Sequence, residues 1–207
     1  MNDEIIIEVN EVFKKYDDAT VLDNVSLEIE KGKIYGLVGR NGSGKTVLMK
    51  CICGLIKPTS GEVKVAGKTV GKDVDIPEDI GVIIETPGFI PNYSGFKNLK
   101  LLASVRNKIS NEEIRKSMEI VGLEPKSRKH VGKYSLGMRQ KLGIAQAIME
   151  KPKILILDEP MNGLDNESVA VVRKILKEQA ENGATIILAS HNREDIDVLC
   201  DKVYTMD

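Results

Sequence analysis

The octapeptide Gly39 to Thr46, Gly-Arg-Asn-Gly-Ser-Gly-Lys-Thr, constrains this chain more than any other stretch. It fits G-x-x-x-x-G-K-[ST], the phosphate-binding loop, and its surroundings suit that motif. The run before it, Lys33 to Val38, predicts a strand, and the run after it, Val47 to Ile52, predicts a helix. Gly42 and Gly44 let the backbone curl so that successive N–H groups point inward at phosphate oxygens, with Gly39, Arg40, Asn41 and Ser43 completing the turn. The helix N-terminus at Val47 adds its partial positive charge to the same place. Lys45 can reach the β- and γ-phosphates, and the Thr46 hydroxyl can hold Mg²⁺. The motif alone specifies a bound nucleoside triphosphate and leaves its use open.

The surrounding segments predict an α/β domain. Ile5 to Val9 has strand composition, Lys14 to Ala19 is polar and turn-like, and Val21 to Ile29 ends in strict alternation. Two strands before a phosphate loop are more than a minimal nucleotide domain needs. Glu62 to Val65 alternates as a half-exposed strand. Ile80 to Ile84, Ile154 to Leu157 and Thr185 to Ala189 are almost wholly apolar, as strands covered on both faces are. Helical patterns separate them, which implies a parallel sheet with helices on both sides. The amphipathic pattern from Glu167 to Glu181 stops at Asn182-Gly183, a helix is expected from Arg193 to Cys200, and Lys202 to Met206 is a last strand.

Between the first and second of these apolar strands lies a helical block. Leu99, Leu102 and Val105 have the spacing of a helix face, and Ser110 with Glu113 three residues on reads as a capping box. A second helix through Ile114, Met118 and Val121 ends at Gly122. From Lys97 to Lys141 there are twelve Lys or Arg against four Glu, a local balance of +8. That is either a solvated basic face or a surface that meets phosphates or an acidic partner.

The bulk properties exclude several classes. A formal net charge of −1 over 207 residues gives no global attraction to nucleic acid or acidic lipid, and none is expected as a partner. No apolar run approaches the length needed to span a bilayer, and the acidic start Met-Asn-Asp-Glu-Ile does not read as a signal peptide. The expectation is a cytoplasmic protein, held at a membrane only through a partner. Cys51 and Cys53 stand two apart on an expected helix and do not share a face, so they predict buried reduced thiols rather than a metal clip, as does Cys200.

A second constellation narrows the use of the nucleotide. The apolar strand Ile154 to Leu157 ends in Asp158-Glu159-Pro160, and the next one ends in Ser190-His191. A carboxylate at a strand end beside a phosphate loop suits Mg²⁺, which points to Asp158. Glu159, one residue on, can act as general base towards water attacking the γ-phosphate.

Phosphate loop, Asp158-Glu159-Pro160, Gly163-Leu164-Asp165 and His191 follow one another as in ATP-binding cassette (ABC) proteins, which the chain resembles over essentially its whole length. Tyr134-Ser-Leu-Gly-Met138 resembles the family's signature, usually Leu-Ser-Gly-Gly-Gln, with Leu136 for the first Gly and Met138 for the Gln. The resemblance implies a RecA-like P-loop core with an antiparallel β subdomain, at about residues 1–88 and 147–207, and an inserted α-helical subdomain at about 89–146. It implies ATP and Mg²⁺ as ligands, and a second cassette, most simply another copy, whose Ser135 and Gly137 close the ATP site head to tail. It gives His191 a contact to the γ-phosphate and a role in placing the attacking water. By the same resemblance, Asp165 is expected to couple the two sites and Tyr16 to stack on adenine. Glu85 stands where the family has Gln and would offer a charged oxygen to Mg²⁺. Glu85-Thr-Pro-Gly-Phe89 and the signature variant are similar to those of bacterial bacitracin and lantibiotic exporter ATPases. That likeness implies a separate integral membrane permease, with Phe89 to Phe96 and the basic helices as docking surface. The alternatives are a soluble ABC ATPase of translation or DNA repair, or a regulatory nucleotide-binding module. The chain has no heptad run and a single phosphate loop, and it carries both Glu159 and His191.

Overall fold

The computed structural model describes residues 4–206; the first three residues of the acidic N-terminus and Asp207 lie outside them. Two sheets organise the chain. The first is antiparallel: β1 (Ile5–Tyr16), β2 (Ala19–Glu30), β4 (Ser60–Val65) and β5 (Lys68–Thr69), in the order β2-β1-β4-β5. The second is wholly parallel: β6 (Ile80–Ile83), β7 (Ile154–Asp158), β8 (Thr185–Ala189), β3 (Ile34–Gly39) and β9 (Lys202–Met206), in that spatial order. Helices α1 (Lys45–Ile52), α5 (Asn166–Glu181) and α6 (Arg193–Leu199) connect its strands. The helical block of α2 (Gly95–Arg106), α3 (Asn111–Ile120) and α4 (Leu136–Ile148) sits between β6 and β7.

The apolar strands divide their side chains between two cores. On β7, Ile154 and Ile156 face the core shared with α1 and the antiparallel sheet, whereas Leu155 and Leu157 face the core shared with α4 and α5. β8 repeats the division, Ile187 and Ala189 against Ile186 and Leu188. This is why these strands are apolar at every position: both pleat faces are covered. Each fully buried Leu or Ile contributes about 1.5–3 kcal/mol to that packing.

Two expectations are corrected. The polar segment at Lys14 is not a turn, because β1 continues to Tyr16 and only Asp17 and Asp18 turn, with Asp17 at φ 48°. Cross-strand pairing of Tyr16 with Ala19 overrides the local composition, and Asp tolerates the left-handed conformation that so tight a reversal needs. The apolar face of α2 is also different. Leu99 is buried, but Leu102 is 40% and Val105 81% exposed. A spacing of three loses about 60° of rotation per step on a helix of 3.6 residues per turn, so the stripe that meets the core is Gly95, Asn98, Leu99 and Ala103. The capping box at Ser110 and Glu113 forms as read, and Gly122 follows α3 at φ 74°.

Burial raises the thiols of Cys51 to about 11, and of Cys53 and Cys200 to about 12, so all three are inert thiols at neutral pH. Among the described residues no helix is long and apolar enough to cross a membrane.

Where β2 meets β9, Glu30 is bonded by both Lys202 and Lys33. These two ammonium groups hold its carboxyl down at about 2. A carboxylate lowered on folding stabilises the fold above its ordinary pKa and loses that effect as pH falls through the folded value. Glu30→Gln is therefore expected to lower the urea midpoint at pH 7, and the difference from wild type should shrink as pH falls from about 4.5 to about 2. A difference that stays constant over that window removes the pairing as its cause.

Candidate nucleotide site

The phosphate loop lies between β3 and α1, at the carboxyl ends of the parallel strands. Gly44 is the N-cap of α1 at φ 88°, and a Cβ there would come within 2.7 Å of the Leu22 side chain and the Val21 carbonyl. Only glycine accommodates both the left-handed conformation and that approach. The loop walls a cleft of about 400 Å³ whose lining runs from Asn41 to Val47 and includes Val21, Asp158 and Glu159. Its size suits a small molecule.

Lys45 donates from Nζ to the carbonyl oxygens of Gly39, at 2.8 Å, and Arg40, at 2.9 Å. Its ammonium thus sits within the curl of the loop. The Thr46 hydroxyl donates to Asp158 Oδ2 at 2.6 Å. Two hard oxygen donors therefore adjoin, one from the loop and one from the end of β7. Such a pair fits Mg²⁺, which is bound through one or two carboxylates together with substrate phosphates. Among the described residues no cluster of three or more His, Cys, Asp and Glu could hold a metal ion.

Glu159 takes up the left-handed region at φ 49°, a conformation that costs a non-glycine residue about 1–2 kcal/mol. Its N–H donates to the Ala189 carbonyl at 2.9 Å. Its Oε1 accepts the His191 backbone N–H at 2.9 Å, and its Oε2 lies 2.7 Å from His191 Nδ1. Parallel pairing of β7 with β8 brings these two residues together, since Asp158 is opposite Ala189 and each chain then turns towards the other.

Other residues singled out from sequence lie apart from this cleft. Tyr16 stands at the β1–β2 hairpin, 46% exposed, with Lys14 Nζ 4.8 Å from its ring centroid. Val21, the third residue of β2, lines the cleft instead; it belongs to no motif, and no sequence signal marks it. Glu85, at φ 59°, extends to Lys50 on α1, with Nζ and Oε1 2.5 Å apart. Its carboxylate is thus committed to a cation and lines no part of the cleft. Ser135 is the N-cap of α4, its hydroxyl accepting the Met138 N–H at 3.2 Å, and it is exposed. Gly137 follows on the same helix, where a Cβ would stand 3.0 Å from the Gly163 carbonyl. Asp165 caps α5 by accepting the Ser168 N–H at 2.8 Å, which holds its carboxyl below the ordinary range.

Two groups of residues with no role assigned from sequence also organise the site. Gln140 on α4 is buried and donates from Nε2 to the carbonyls of Glu159, at 3.1 Å, and Pro160, at 2.9 Å. Behind His191, Asp195 is 1% exposed and accepts Arg173 Nε at 2.9 Å and Nη2 at 2.6 Å on one oxygen, and the Ser190 hydroxyl at 3.1 Å on the other. Ser190 in turn accepts the Asn192 N–H at 3.1 Å.

A parallel sheet with a glycine-rich loop at its carboxyl edge, a Thr–Asp oxygen pair and an interposed helical block define a P-loop nucleotide-binding domain. More narrowly, the chain belongs to the ABC transporter family as an ATP-binding domain: the family's sequence profile, described as ABC transporter, matches residues 22–162. Among its relatives, the uncharacterized ABC transporter ATP-binding protein YybJ of Bacillus subtilis (strain 168) is 49% identical, over 95% of this chain and 90% of YybJ. The bacitracin transport ATP-binding protein BcrA of Enterococcus faecalis is 43% identical over 98% of the chain; the chain spans 67% of that relative's length. A solved ATP-binding subunit of an ABC transporter superposes with a TM-score of 0.87 at 27% identity, covering 97% of this chain and 85% of the other.

Proposed function

We infer that this chain is the ATP-hydrolysing subunit of an exporter, and that two cassettes share each ATP site. The reading rests most directly on one contrast. Lys45, Thr46, Asp158 and Glu159 converge on the loop cleft, whereas Ser135 and Gly137 are on an exposed helix start outside it. One chain thus holds half of a site at each of two places. The N-terminus of α4, with its hydroxyl, its close backbone at Gly137 and its dipole, suits the γ-phosphate bound by a second copy.

In this reading the triphosphate lies along the loop, its β- and γ-oxygens met by loop N–H groups and by Lys45 Nζ. Thr46 and Asp158 would hold Mg²⁺, which neutralises charge on the phosphates. Glu159 accepts a proton from the attacking water, and His191, bonded to both carboxylate oxygens, holds that base in place and would turn from its position outside the cleft lining to contact the γ-phosphate. Val21 supplies an apolar wall for adenine, and Tyr16, outside the cleft lining, would stack on the base only by moving towards it. Glu85 reaches the ion only by leaving Lys50. The likeness to the bacitracin relative supports export of a peptide antibiotic or another small molecule through a separate permease. The chain would then sit at the inner face of the membrane through that partner, which meets the region from Phe89 to Phe96 and the basic helices.

The test is ATP turnover against protein concentration. Specific activity is expected to rise with concentration across the range where light scattering shows monomer passing to dimer. A constant specific activity over that range overturns the shared site.

A further inference from the structure

We propose that Gln140 is the positioning residue that sets the general base, and that it acts from the same helix that presents Ser135 and Gly137 to a second cassette. The proposal rests on the reading of Glu159 as the base. Its physical ground is the backbone of Glu159. A glutamate at φ 49° persists only where its surroundings over-determine it. Four groups do so here. The Ala189 carbonyl accepts its N–H, His191 binds its carboxylate twice, and Asn162 N–H and Gln140 Nε2 both donate to its carbonyl. The first two come from β8 and the turn that follows it, and Asn162 from the turn after Glu159 itself. Gln140 alone of the four comes from the helical block.

The chemistry of the contact is specific. A primary amide carries two N–H donors, and here both are used within one turn of chain, on Glu159 and Pro160. Gln140 is 6% exposed, so water cannot replace those bonds; without it the Pro160 carbonyl loses this donor, and the Glu159 carbonyl keeps only the Asn162 N–H at 3.1 Å. Ser135 begins α4 five residues earlier, and the same helix end packs at Gly137 against the Gly163 carbonyl. A helix moves as one body, so a displacement of Ser135 on meeting a phosphate is carried to the carbonyl of Glu159. Gln140 thereby links the nucleotide that α4 touches on the partner to the base of its own site.

Gln140→Met keeps the length of the side chain and removes both donors. It is expected to lower kcat about 10- to 100-fold, the effect of misplacing a reacting group by about an ångström, while the KM for ATP stays within about twofold. The deciding measurement is the same substitution in the Glu159→Gln background. A residue that acts through Glu159 adds little once the carboxylate is gone, so the further loss in single-turnover rate should be under about threefold. Gln140→Leu, apolar and without a donor, provides a second variant should the methionine disturb folding, with thermal melting as the check. An equal fold-loss in both backgrounds, or a wild-type kcat in folded Gln140→Met, overturns the proposal and leaves the assignment of Glu159 standing. A Glu159→Gln variant, with Gln140 unchanged, that turns over ATP at the wild-type rate overturns both.

Discussion

Glu159→Gln is expected to lower ATP turnover by about 10²- to 10⁴-fold, the contribution of a well-placed general base. The amide has the shape of the carboxylate and keeps an oxygen to accept the His191 N–H that now binds Glu159 at 2.9 Å. Binding groups are untouched: Lys45 and Thr46 keep their partners at Gly39, Arg40 and Asp158. Nucleotide should therefore bind while the chemical step stalls, and the ATP-bound pair of cassettes should accumulate. Phosphate release measures the first effect, and light scattering with ATP and Mg²⁺ measures the second. A rate equal to wild type removes Glu159 as the base.

Arg173→Met is expected to destabilise the fold by about 3–5 kcal/mol, because it strands the buried carboxylate of Asp195. Asp195 is 1% exposed and takes two guanidinium bonds on one oxygen. The two carboxylates around Arg173 also raise its already high pKa, so the guanidinium stays charged at any ordinary pH. The outer bond, from Nη1 to the exposed Glu194 at 2.9 Å, contributes much less. Lys174→Met is the matched control. Its contact to Glu178 is 3.7 Å long and both side chains are exposed, so the change should be within about 0.5 kcal/mol. Urea unfolding of the two variants checks the contrast. Since Asp195 also holds Ser190, whose hydroxyl orders the turn after His191, Arg173→Met should lower turnover even where the protein remains folded. Equal stabilities of the two variants would remove the buried pair as a determinant of this region.

Much of the fold was legible because its signals are local. The phosphate loop needs left-handed glycine at position 44 and a following helix, and both are written within eight residues. β8 and β9 occupy the spans that their composition predicts. The capping box at Ser110 and the stop at Asn182-Gly183 involve groups three or four residues apart. Where the reading was displaced, a longer-range contact decided. The end of β1 is held by pairing with β2 across a turn that composition made look wider. On α2 a three-residue spacing suggested a face, while the true stripe depends on which side meets α3 and α4.

The same division holds for the site. The chain by itself specified a phosphate-binding loop, a strand ending in two carboxylates and a histidine after the next strand, because each motif depends on residue types at fixed offsets. The tertiary structure alone decided which of them meet. Parallel register of β7 and β8 brings His191 onto Glu159, and α4 folds back so that Gln140 reaches the Glu159 carbonyl. Glu85, just beyond the end of β6, meets Lys50 on α1, 35 residues away in the chain. No local pattern encodes such pairings. They follow from two-sided burial of the parallel sheet, which fixes where strand ends lie and therefore which side chains come within hydrogen-bonding distance.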